Sequence, residues 1–298
     1  MQELDVKIKE FLENLGLEAD AELNPHEASL REFYSISDNT PAQTMEKQVS
    51  VREFNPKYDR VQIVPISDIH LGSINCNLER FRAFVDYIRR TPDCYTLLTG
   101  DLSEMGTKTS IGLGVYEQRY DPETQIDILE LELRPLADEG KILGILSGNH
   151  EMRVAVATSF QPMKILARNL GVEYLGYQGY HKWVVGEQDY TAMSFHGKSG
   201  AQTIGGRINA AVKMNTVANV DIYISGHTHA LENTEDIIVE IDTETNQLKY
   251  RKRHYVIAGS FLSYWGGYAE MKAYPLSPIG AVRIDLFKDE HRIKIHKP

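Results

Sequence analysis

The sequence predicts an α/β fold on the basis of three observations. Apolar runs of strand length alternate along the chain with longer stretches whose apolar residues recur at helical spacing. The main apolar runs end in short polar clusters, as strands of an α/β sheet do where their carboxyl ends form a site. The chain has 298 residues, of which 42% are apolar and 25% are charged, so it can bury a large core.

The N-terminal region is predicted to be a helical extension joined to the main domain by a linker. Residues 3–15 carry an apolar stripe at helical spacing, and Gly16 follows as a stop signal. The apolar positions of this stripe are Leu4, Ile8, Phe11, Leu12 and Leu15. Residues 35–50 are polar and indicate a linker. We therefore assign residues 1–55 to the helical extension and linker, and residues 56–298 to one main domain.

Strands and helices alternate in the first part of the main domain, and strands are predicted from residue 234 onward. The earlier strands are predicted over residues 60–70, 95–101, 141–151, 190–197 and 220–229. Helices are predicted over residues 77–90, 123–138, 160–170 and 203–218. Asn77 is placed to cap the first helix, because its side chain can accept a hydrogen bond from the first turn.

The composition favours a cytoplasmic protein that does not enter a membrane. No stretch approaches the ~18 consecutive apolar residues of a membrane span, and the first ten residues lack the basic-then-apolar order of a signal peptide. The only cysteines are Cys76 and Cys94, which favours a reducing compartment and no disulfide framework. The net charge of −10 lies mostly in residues 1–50, so it argues only weakly against a polyanionic partner.

Five predicted strand ends carry histidine, aspartate and asparagine. Any one of these residues on its own is an ordinary turn residue, but the same chemistry recurs at five successive strand ends. The clusters are "SDIH" (67–70), "TGDL" (99–102), "SGNHE" (147–151), "SFHG" (194–197) and "SGHTH" (225–229). Because the carboxyl ends of such strands meet at one edge, these side chains are expected to form one site.

The residue types in these clusters suit divalent metal ions. Imidazole and carboxylate ligands fit zinc, iron, manganese or nickel, and cysteine is absent from the set. Seven ligands are too many for one catalytic ion that must keep an open position. They fit two ions about 3.5–4 Å apart that share one carboxylate, an arrangement used for displacement at phosphorus. The candidate ligands are Asp68, His70, Asp101, Asn149, His196, His227 and His229.

In this ordered series the sequence resembles the calcineurin-like metallophosphoesterases over roughly residues 60–260. The resemblance implies a four-layer α/β/β/α sandwich, in which two mixed β-sheets are flanked by helices. It also implies that Asp101 bridges the two metals and that a metal-activated water attacks phosphorus. The first metal would be held by Asp68, His70 and His229, and the second by Asn149, His196 and His227.

The resemblance gives His150 a catalytic role outside the metal ligands. It would stabilise the transition state and protonate the leaving oxygen. Many relatives carry an aspartate three residues after the bridging aspartate, where this chain has Glu104. Glu104 is expected either to orient His150 or to be a solvated loop carboxylate. Arg153 is expected either to clamp a phosphate oxygen or to serve as a surface arginine.

Two long loops and an aromatic stretch are candidate substrate contacts. The loops span residues 105–120 and 196–207, and their cationic side chains are Lys108, Arg119, Lys198 and Arg207. The aromatic stretch, residues 261–274, contains Tyr264, Trp265 and Tyr268. These rings could stack on a base, pack in a dimer contact or belong to the core. The basic run at 249–254 is expected to be a solvated edge strand rather than a phosphate track.

The predicted function is hydrolysis of phosphate esters with two divalent ions, foremost Mn²⁺, with Fe, Zn, Ni or Mg as alternatives. We expect a phosphodiesterase that acts on nucleotides or nucleic acid. The alternatives are a phosphomonoesterase, whose substrate is a small molecule or a phosphoprotein, and a scaffold protein without activity. A homodimer through the N-terminal helix or the 261–274 stretch is expected if those apolar surfaces do not pack within one chain.

Overall fold

The computed structural model describes residues 48–108, 110, 116 and 118–298. The predicted N-terminal helix and most of the predicted linker therefore lie outside the described residues. The division of the chain at residue 55 stays a prediction. Ser50–Glu53, within the range assigned to the linker, nevertheless forms a strand that pairs in parallel with residues 181–184.

Thirteen strands and six α-helices make up the described part of the chain. The strands are β1 (Ser50–Glu53), β2 (Arg60–Ile66), β3 (Cys94–Leu98), β4 (Ile142–Leu146), β5 (Tyr174–Gly176), β6 (Gln178–Val185), β7 (Gln188–Phe195), β8 (Ile222–Ser225), β9 (Leu231–Asp242), β10 (Gln247–Ser260), β11 (Gly280–Ala281), β12 (Arg283–Phe287) and β13 (Ile293–His296). The helices are α1 (Leu78–Arg90), α2 (Pro122–Asp138), α3 (Asn149–Thr158), α4 (Pro162–Leu170), α5 (Ile204–Val212) and α6 (Tyr268–Met271).

The strands form two mixed sheets. The six-stranded sheet has the order β13-β12-β2-β3-β4-β5, in which β2 to β5 run parallel. The seven-stranded sheet has the order β1-β6-β7-β8-β10-β11, and β9 pairs with β10 as an antiparallel ribbon. In this second sheet β7, β8 and β10 run parallel. The parallel strands of each sheet therefore end on the same side, which is where the predicted polar clusters lie.

The strands at the centre of each sheet are buried on both faces. In β2, Val61 and Ile63 pack between the sheets, whereas Val64 and Ile66 pack against the helices, because successive side chains of a strand point to opposite faces. The core between the sheets includes residues of both, such as Leu97 of β3, Trp183 of β6 and Ile224 of β8. Burial on both faces explains why these strands appear in the sequence as continuous apolar runs.

Helices cover the outer face of each sheet and complete four layers. The core on the outer face of the six-stranded sheet contains buried side chains of α1, α2 and α4, including Phe81, Leu133 and Leu166. On the outer face of the seven-stranded sheet, Ala211 of α5 packs with Tyr223 of β8. The predicted α/β fold with two mixed sheets flanked by helices is confirmed.

Most predicted elements are present, and three details differ. Asn77 caps α1 as predicted, since its side chain accepts a hydrogen bond from the Arg80 amide at 2.9 Å. Helix α3 was not predicted, because Glu151 is its only buried residue and the helix therefore has no apolar stripe. The helix predicted over 203–218 ends at Val212 and continues as a 3-10 turn. The strand-rich C-terminal part also contains the short helix α6.

The basic run at 249–254 lies in the ribbon formed by β9 and β10. Its cations are paired with acidic groups: Arg251 with Asp221, Lys252 with Glu235, and Arg253 with Asp236. Because carboxylates already neutralise these charges, the run does not offer a free phosphate track. No helix of the described residues is long and apolar enough to cross a membrane.

Candidate metal centre

The carboxyl ends of the parallel strands from both sheets meet at one edge of the sandwich. Asp68 follows β2 and joins the two sheets: its carboxylate accepts a hydrogen bond from the His227 amide at 2.9 Å, and its carbonyl accepts one from the Phe261 amide at 3.0 Å. The Asp68 amide donates to the carbonyl of Gly100, which follows β3, at 3.1 Å. The five polar clusters are thereby brought into one site.

Five of the candidate ligands have a left-handed backbone conformation. The φ angles lie between 48° and 68° at Asp68, His70, Asp101, His227 and His229. Residues other than glycine rarely adopt this region, and Asp and His are among the more tolerant types. The chain turns sharply at each of these residues, which allows a short loop to direct its side chain back over the sheet edge. His227 and His229 both turn in this way, so both imidazoles of "SGHTH" reach the site.

The loops approach one another so closely that they require glycine. A Cβ atom at Gly148 would overlap the amide and carboxylate of Asp101, and one at Gly226 would overlap the hydroxyl of Ser67. The backbone of the loop that follows β4 therefore lies against the backbone of the loop that follows β3, and the backbone of the loop that follows β8 lies against side chains of the loop that follows β2.

Three groups of side chains among the described residues could hold a metal ion. Asp68, His70 and His229 form the first cluster, and the group of His70, Glu104 and His150 overlaps it at His70. Nε2 of His229 lies 3.2 Å from Asp68 Oδ1 and 3.2 Å from Nε2 of His70. Asp68 and His70 are buried, and the His229 side chain is 37% exposed. These three atoms face a common point, as ligands of one ion do.

The second cluster consists of Asp101, His196 and His227, with Asn149 beside them. Asn149 Oδ1 lies 2.7 Å from Nδ1 of His227 and 3.1 Å from Nε2 of His196. Asp101 Oδ2 lies 3.1 Å from Nε2 of His196 and 3.9 Å from Nε2 of His70, which belongs to the first cluster. Asp101 therefore stands between the two clusters, in the position expected for a shared ligand.

The surroundings of Asp68 and His196 fit a bound cation. Asp68 Oδ1 is buried and makes no well-directed hydrogen bond, although His229 Nε2 lies 3.2 Å away, and this arrangement is costly unless a cation meets the oxygen. His196 Nδ1 is 2.9 Å from the carbonyl of Thr99 and must donate its proton there, since a carbonyl only accepts. Nε2 of a neutral His196 then presents a lone pair to two oxygens, which fits a metal ion between them. The residues of both clusters therefore fit divalent metals.

Without metal, protonated imidazoles balance the buried carboxylates. Burial would raise the pKa of Asp101, but His196 and His150 outweigh it and hold that pKa far below its usual range. Burial likewise opposes the shift at His196, yet Asp101 raises the pKa of His196 to about 9. Burial would also raise the pKa of Asp68, and the imidazoles of His229 and His70 hold it well below normal. Metal binding must displace such protons, so metal affinity should rise with pH.

His150 lies in the first turn of helix α3, beside the two clusters. Its Nδ1 donates to the carbonyl of Glu104 at 2.8 Å, and its Nε2 lies 3.9 Å from Asp101 Oδ2. The Glu104 carboxylate is 3.5 Å from Nδ1 of His150 and closer, at 3.0 Å, to Nδ1 of His70. Burial would raise the pKa of Glu104, but His150 and His70 hold it well below normal. Glu104 thus contacts both a predicted catalytic histidine and a predicted metal ligand.

Glu151 is a site residue whose role the sequence did not reveal. It is 1% exposed, and its carboxylate accepts hydrogen bonds from the amides of Gly148, Asp101 and Ser103 at 2.8 to 3.1 Å. Burial and the charge of Asp101 raise the pKa of Glu151. Glu151 therefore ties the loop that carries Asn149 and His150 to the loop that carries Asp101. The only sequence signal was a charged residue directly after "GNH".

A cavity of about 370 Å³ opens beside the clusters. His70, Asp101, Asn149, His150, His227 and His229 form part of its wall. Arg153 and Arg207 also line it, whereas Lys108, Arg119 and Lys198 are exposed and lie outside its lining. Tyr264 of the aromatic stretch lines the cavity, and Trp265 packs edge-on against Tyr264 while it remains 69% exposed. These two rings are therefore not part of the core.

Several solved structures are similar to this one. Vps29 from Entamoeba histolytica, solved with zinc, has a TM-score of 0.35 and 15% identity, over 79% of this chain and 97% of that one. A predicted phosphoesterase from Streptococcus pneumoniae has a TM-score of 0.32 and 12% identity, over 80% and 97%. The NAD nucleotidase NadN from Haemophilus influenzae has a TM-score of 0.36 and 9% identity, over 80% and 49%.

The family match is independent of these structures. No curated protein matches the chain. The family model for calcineurin-like phosphoesterases matches residues 61–231, which include all seven predicted ligands together with His150 and Glu151. This match covers more than half of the chain, and the structure contains candidate ligand clusters for the dinuclear metal centre that the family binds. The chain therefore belongs to the calcineurin-like phosphoesterases and is a hydrolase of phosphate esters.

Proposed function

We propose that the chain is a phosphodiesterase that acts on nucleotides or nucleic acid with two Mn²⁺ ions. The observation that carries this proposal is the cavity, whose lining extends beyond the metal-ligand clusters. This additional lining includes residues 199–202 and 262–264, together with Tyr274, Pro275, Ser277 and Pro278. A phosphodiester carries two substituents on phosphorus, and the additional lining offers surface to both. A phosphomonoester carries one substituent and would use less of this lining.

The metal ligands are assigned by cluster. Asp68, His70 and His229 would hold one ion, Asn149, His196 and His227 would hold the other, and Asp101 would be shared. When bound, the two ions supply Lewis acidity, which makes water nucleophilic near neutral pH and balances charge at phosphorus. Manganese is favoured because oxygen and imidazole ligands suit it and no cysteine is present.

His150 is assigned the proton transfer to the leaving oxygen. The Glu104 carbonyl fixes the proton on Nδ1 and the orientation of the ring, so Nε2 is the nitrogen left for substrate. Arg153 lies one helical turn after Asn149 and lines the same cavity, where its Nη1 donates to Ser110 Oγ at 2.8 Å. Its guanidinium can contact an oxygen of the reacting phosphate.

Tyr264 supports the choice of a nucleotide. It is an aromatic residue in the cavity wall, backed by Trp265, and an aromatic side chain of this kind can stack on a base. A stacking contact is tolerant of base identity, because every base has an aromatic face. The proposal therefore names nucleotides as a class and no particular base.

A substrate panel with Mn²⁺ tests the proposal. It should contain bis-p-nitrophenyl phosphate, p-nitrophenyl phosphate, mononucleotides, cyclic nucleotides, single- and double-stranded DNA and RNA, and a phosphopeptide. We expect the diesters to be hydrolysed with a higher kcat/KM than the monoesters. A preference for monoesters would replace the proposal with a phosphomonoesterase. Failure to hydrolyse any phosphate ester would leave a scaffold protein.

Asp101→Asn is the matching variant for this assay. We expect it to remove Mn²⁺-dependent turnover of bis-p-nitrophenyl phosphate, because the shared ligand loses its charge. Asp127→Asn is the control, since Asp127 is an exposed residue of α2 outside the site. Retained turnover in Asp101→Asn would refute the assignment of Asp101 as the shared ligand.

A further inference from the structure

Arg207 is a buried cation in the wall of the cavity. It lies on helix α5, is only 5% exposed, and lines the same cavity as His150 and the metal-ligand clusters. Burial of this degree is rare for arginine unless a counter-charge is present.

Arg207 has almost no partners within the described part of the chain. Its Nη1 donates one long hydrogen bond, of 3.4 Å, to Ser277 Oγ across the cavity wall. Its Nε is buried and has no hydrogen-bond partner, and no described carboxylate forms an ion pair with it. The guanidinium therefore keeps donors that the described residues do not satisfy.

Other shielded arginines of the chain show the usual arrangement. Arg251 is paired with Asp221 at 2.9 Å, Arg253 with Asp236 at 2.6 Å, and Arg283 with Asp285 at 2.8 Å. Arg207 is as well shielded from solvent as any of these, yet it lacks the carboxylate that each of them has. None of the described residues supplies its counter-charge.

The counter-charge is expected to differ from the reacting phosphate. In the proposed function, the metal ions, His150 and Arg153 contact the reacting group. The metal ligands lie mainly at strand ends, and His150 and Arg153 lie on α3. Arg207 comes from α5 and makes no hydrogen bond to any of the predicted ligands or to His150. Its one side-chain hydrogen bond to a described residue is with Ser277, which also lines the cavity.

We propose that Arg207 forms a second anion-binding site, which holds a phosphate group of the substrate that does not react. A guanidinium presents its donors in a planar fork that matches phosphate oxygens. This inference rests on the proposed function, and it narrows the substrate class to nucleotides or oligonucleotides with at least two phosphates. In a nucleic acid, the second phosphate is a neighbouring one along the same strand.

The kinetic test compares substrates that differ by one phosphate. The substrates are the thymidine dinucleotide with one phosphodiester, the same dinucleotide with an added 5′- or 3′-phosphate, and bis-p-nitrophenyl phosphate. We expect the wild type to prefer one phosphorylated dinucleotide by about tenfold in kcat/KM, mainly through KM, as one charge-assisted contact allows. Arg207→Met should abolish that preference and change turnover of bis-p-nitrophenyl phosphate by less than about twofold.

The variants for this test are chosen so that a folding defect is visible. Arg207→Lys keeps the positive charge and the aliphatic part of the side chain but loses the planar guanidinium. It should therefore keep only part of the preference for the phosphorylated dinucleotide. Arg168→Met, which replaces an exposed arginine of α4, should behave as the wild type. Absence of the preference in the wild type, or equal losses on all substrates in Arg207→Met, would overturn the proposal.

A binding test separates this inference from the proposed function. On the protein without added metal, sodium sulfate at constant ionic strength should raise the Tm of the wild type and of Arg168→Met in a saturable way. The same titration should not raise the Tm of Arg207→Met. If no phosphate ester is hydrolysed but sulfate still binds through Arg207, the proposed function fails and the anion site stands. If Arg207→Met responds to sulfate as the wild type does, the anion site fails.

Discussion

At the scale of single residues, His150 illustrates how the backbone selects a chemical role. The carbonyl of Glu104 accepts the Nδ1 proton, so the tautomer and the ring orientation are fixed before substrate binds. The carboxylate of the same residue contacts His70, and one side chain thereby touches a predicted acid and a predicted ligand. The sequence suggested Glu104 as the partner of His150, and the geometry adds a backbone contact that no side-chain identity could predict.

His150→Ala should retain the metals and lose most of the turnover. General acid catalysis by a positioned histidine contributes about 10²- to 10⁴-fold, so kcat should fall by that order. The measurement is kcat on bis-p-nitrophenyl phosphate together with metal content by elemental analysis. His296→Ala, on strand β13, is the control. A collapse of metal content in His150→Ala would show that this histidine is itself a ligand.

At the scale of elements, the site depends on how neighbouring loops are fastened to one another. Glu151 lies on α3, and its two carboxylate oxygens accept three backbone amides from the loops after β3 and β4. Glutamate is suited to this position because both oxygens only accept when the group is ionised. The side chain contacts none of the predicted substrate space, so its influence on the site passes through Asp101 and Gly148.

Glu151→Gln should weaken metal binding by about 10- to 100-fold, the range found for groups that orient metal ligands. The amide NH₂ of glutamine would face backbone N–H donors, and the two loops would move apart. Calorimetric titration with Mn²⁺ measures this loss directly. Glu123→Gln, an exposed change in the first turn of α2, should leave the affinity unaltered. Unchanged Mn²⁺ affinity in Glu151→Gln would contradict a positioning role.

Asp221 fastens three strands of the seven-stranded sheet. Its carboxylate accepts hydrogen bonds from the amide and hydroxyl of Thr191, and from Arg251 Nε at 2.9 Å. Burial would raise the pKa of Asp221, but His291, Arg251 and Thr191 hold it well below its ordinary value of 3.8. A carboxyl with a lowered folded-state pKa stabilises the fold above its unfolded-state pKa, and this stability disappears as pH falls towards the folded-state value.

Asp221→Asn should therefore lower the free energy of unfolding at pH 7 by about 2–3 kcal/mol, because it breaks a buried ion pair. The gap between wild type and variant should narrow below about pH 5, through pH 4 to pH 3. Urea unfolding at these pH values provides the measurement. Asp189→Asn, which breaks an exposed pair with Lys182, should cost less than about 1 kcal/mol. A gap independent of pH would contradict the ion-pair explanation.

At the scale of the whole molecule, the sequence predicts what depends on local apolar patterning. The central strands appear as apolar runs because they are buried on both faces, and the ligands are found because they follow those runs directly. Helix α3 and strand β1 escape prediction, since neither has an apolar stripe: the residues of β1 are half-buried or exposed. The role of Glu151 depends on amides about 50 residues away, and such a contact exists only in the folded chain.

Removal of residues 1–47 tests the predicted N-terminal extension. We expect the shortened protein to retain Mn²⁺-dependent hydrolysis, because all site residues and β1 follow this segment. The cut must precede Ser50, since residues 50–53 pair with β6. The mass in solution, before and after truncation, separates the two roles left open for the predicted helix. A dimer that becomes a monomer supports dimerisation through this segment, and an unchanged oligomeric state excludes it.

The left-handed backbone at five predicted ligands serves the site but lowers the stability of the fold. Each such residue costs about 1 kcal/mol relative to glycine, so the five together approach the lower end of a typical total stability of about 5–15 kcal/mol. Metal ions that bind the folded state and not the unfolded chain would stabilise the fold and offset this cost. Selection for thermal stability without metal would therefore favour glycine at His229. The most stable variants of this chain would be inactive, and a relative that no longer needs the reaction would lose its ligands first at these turns.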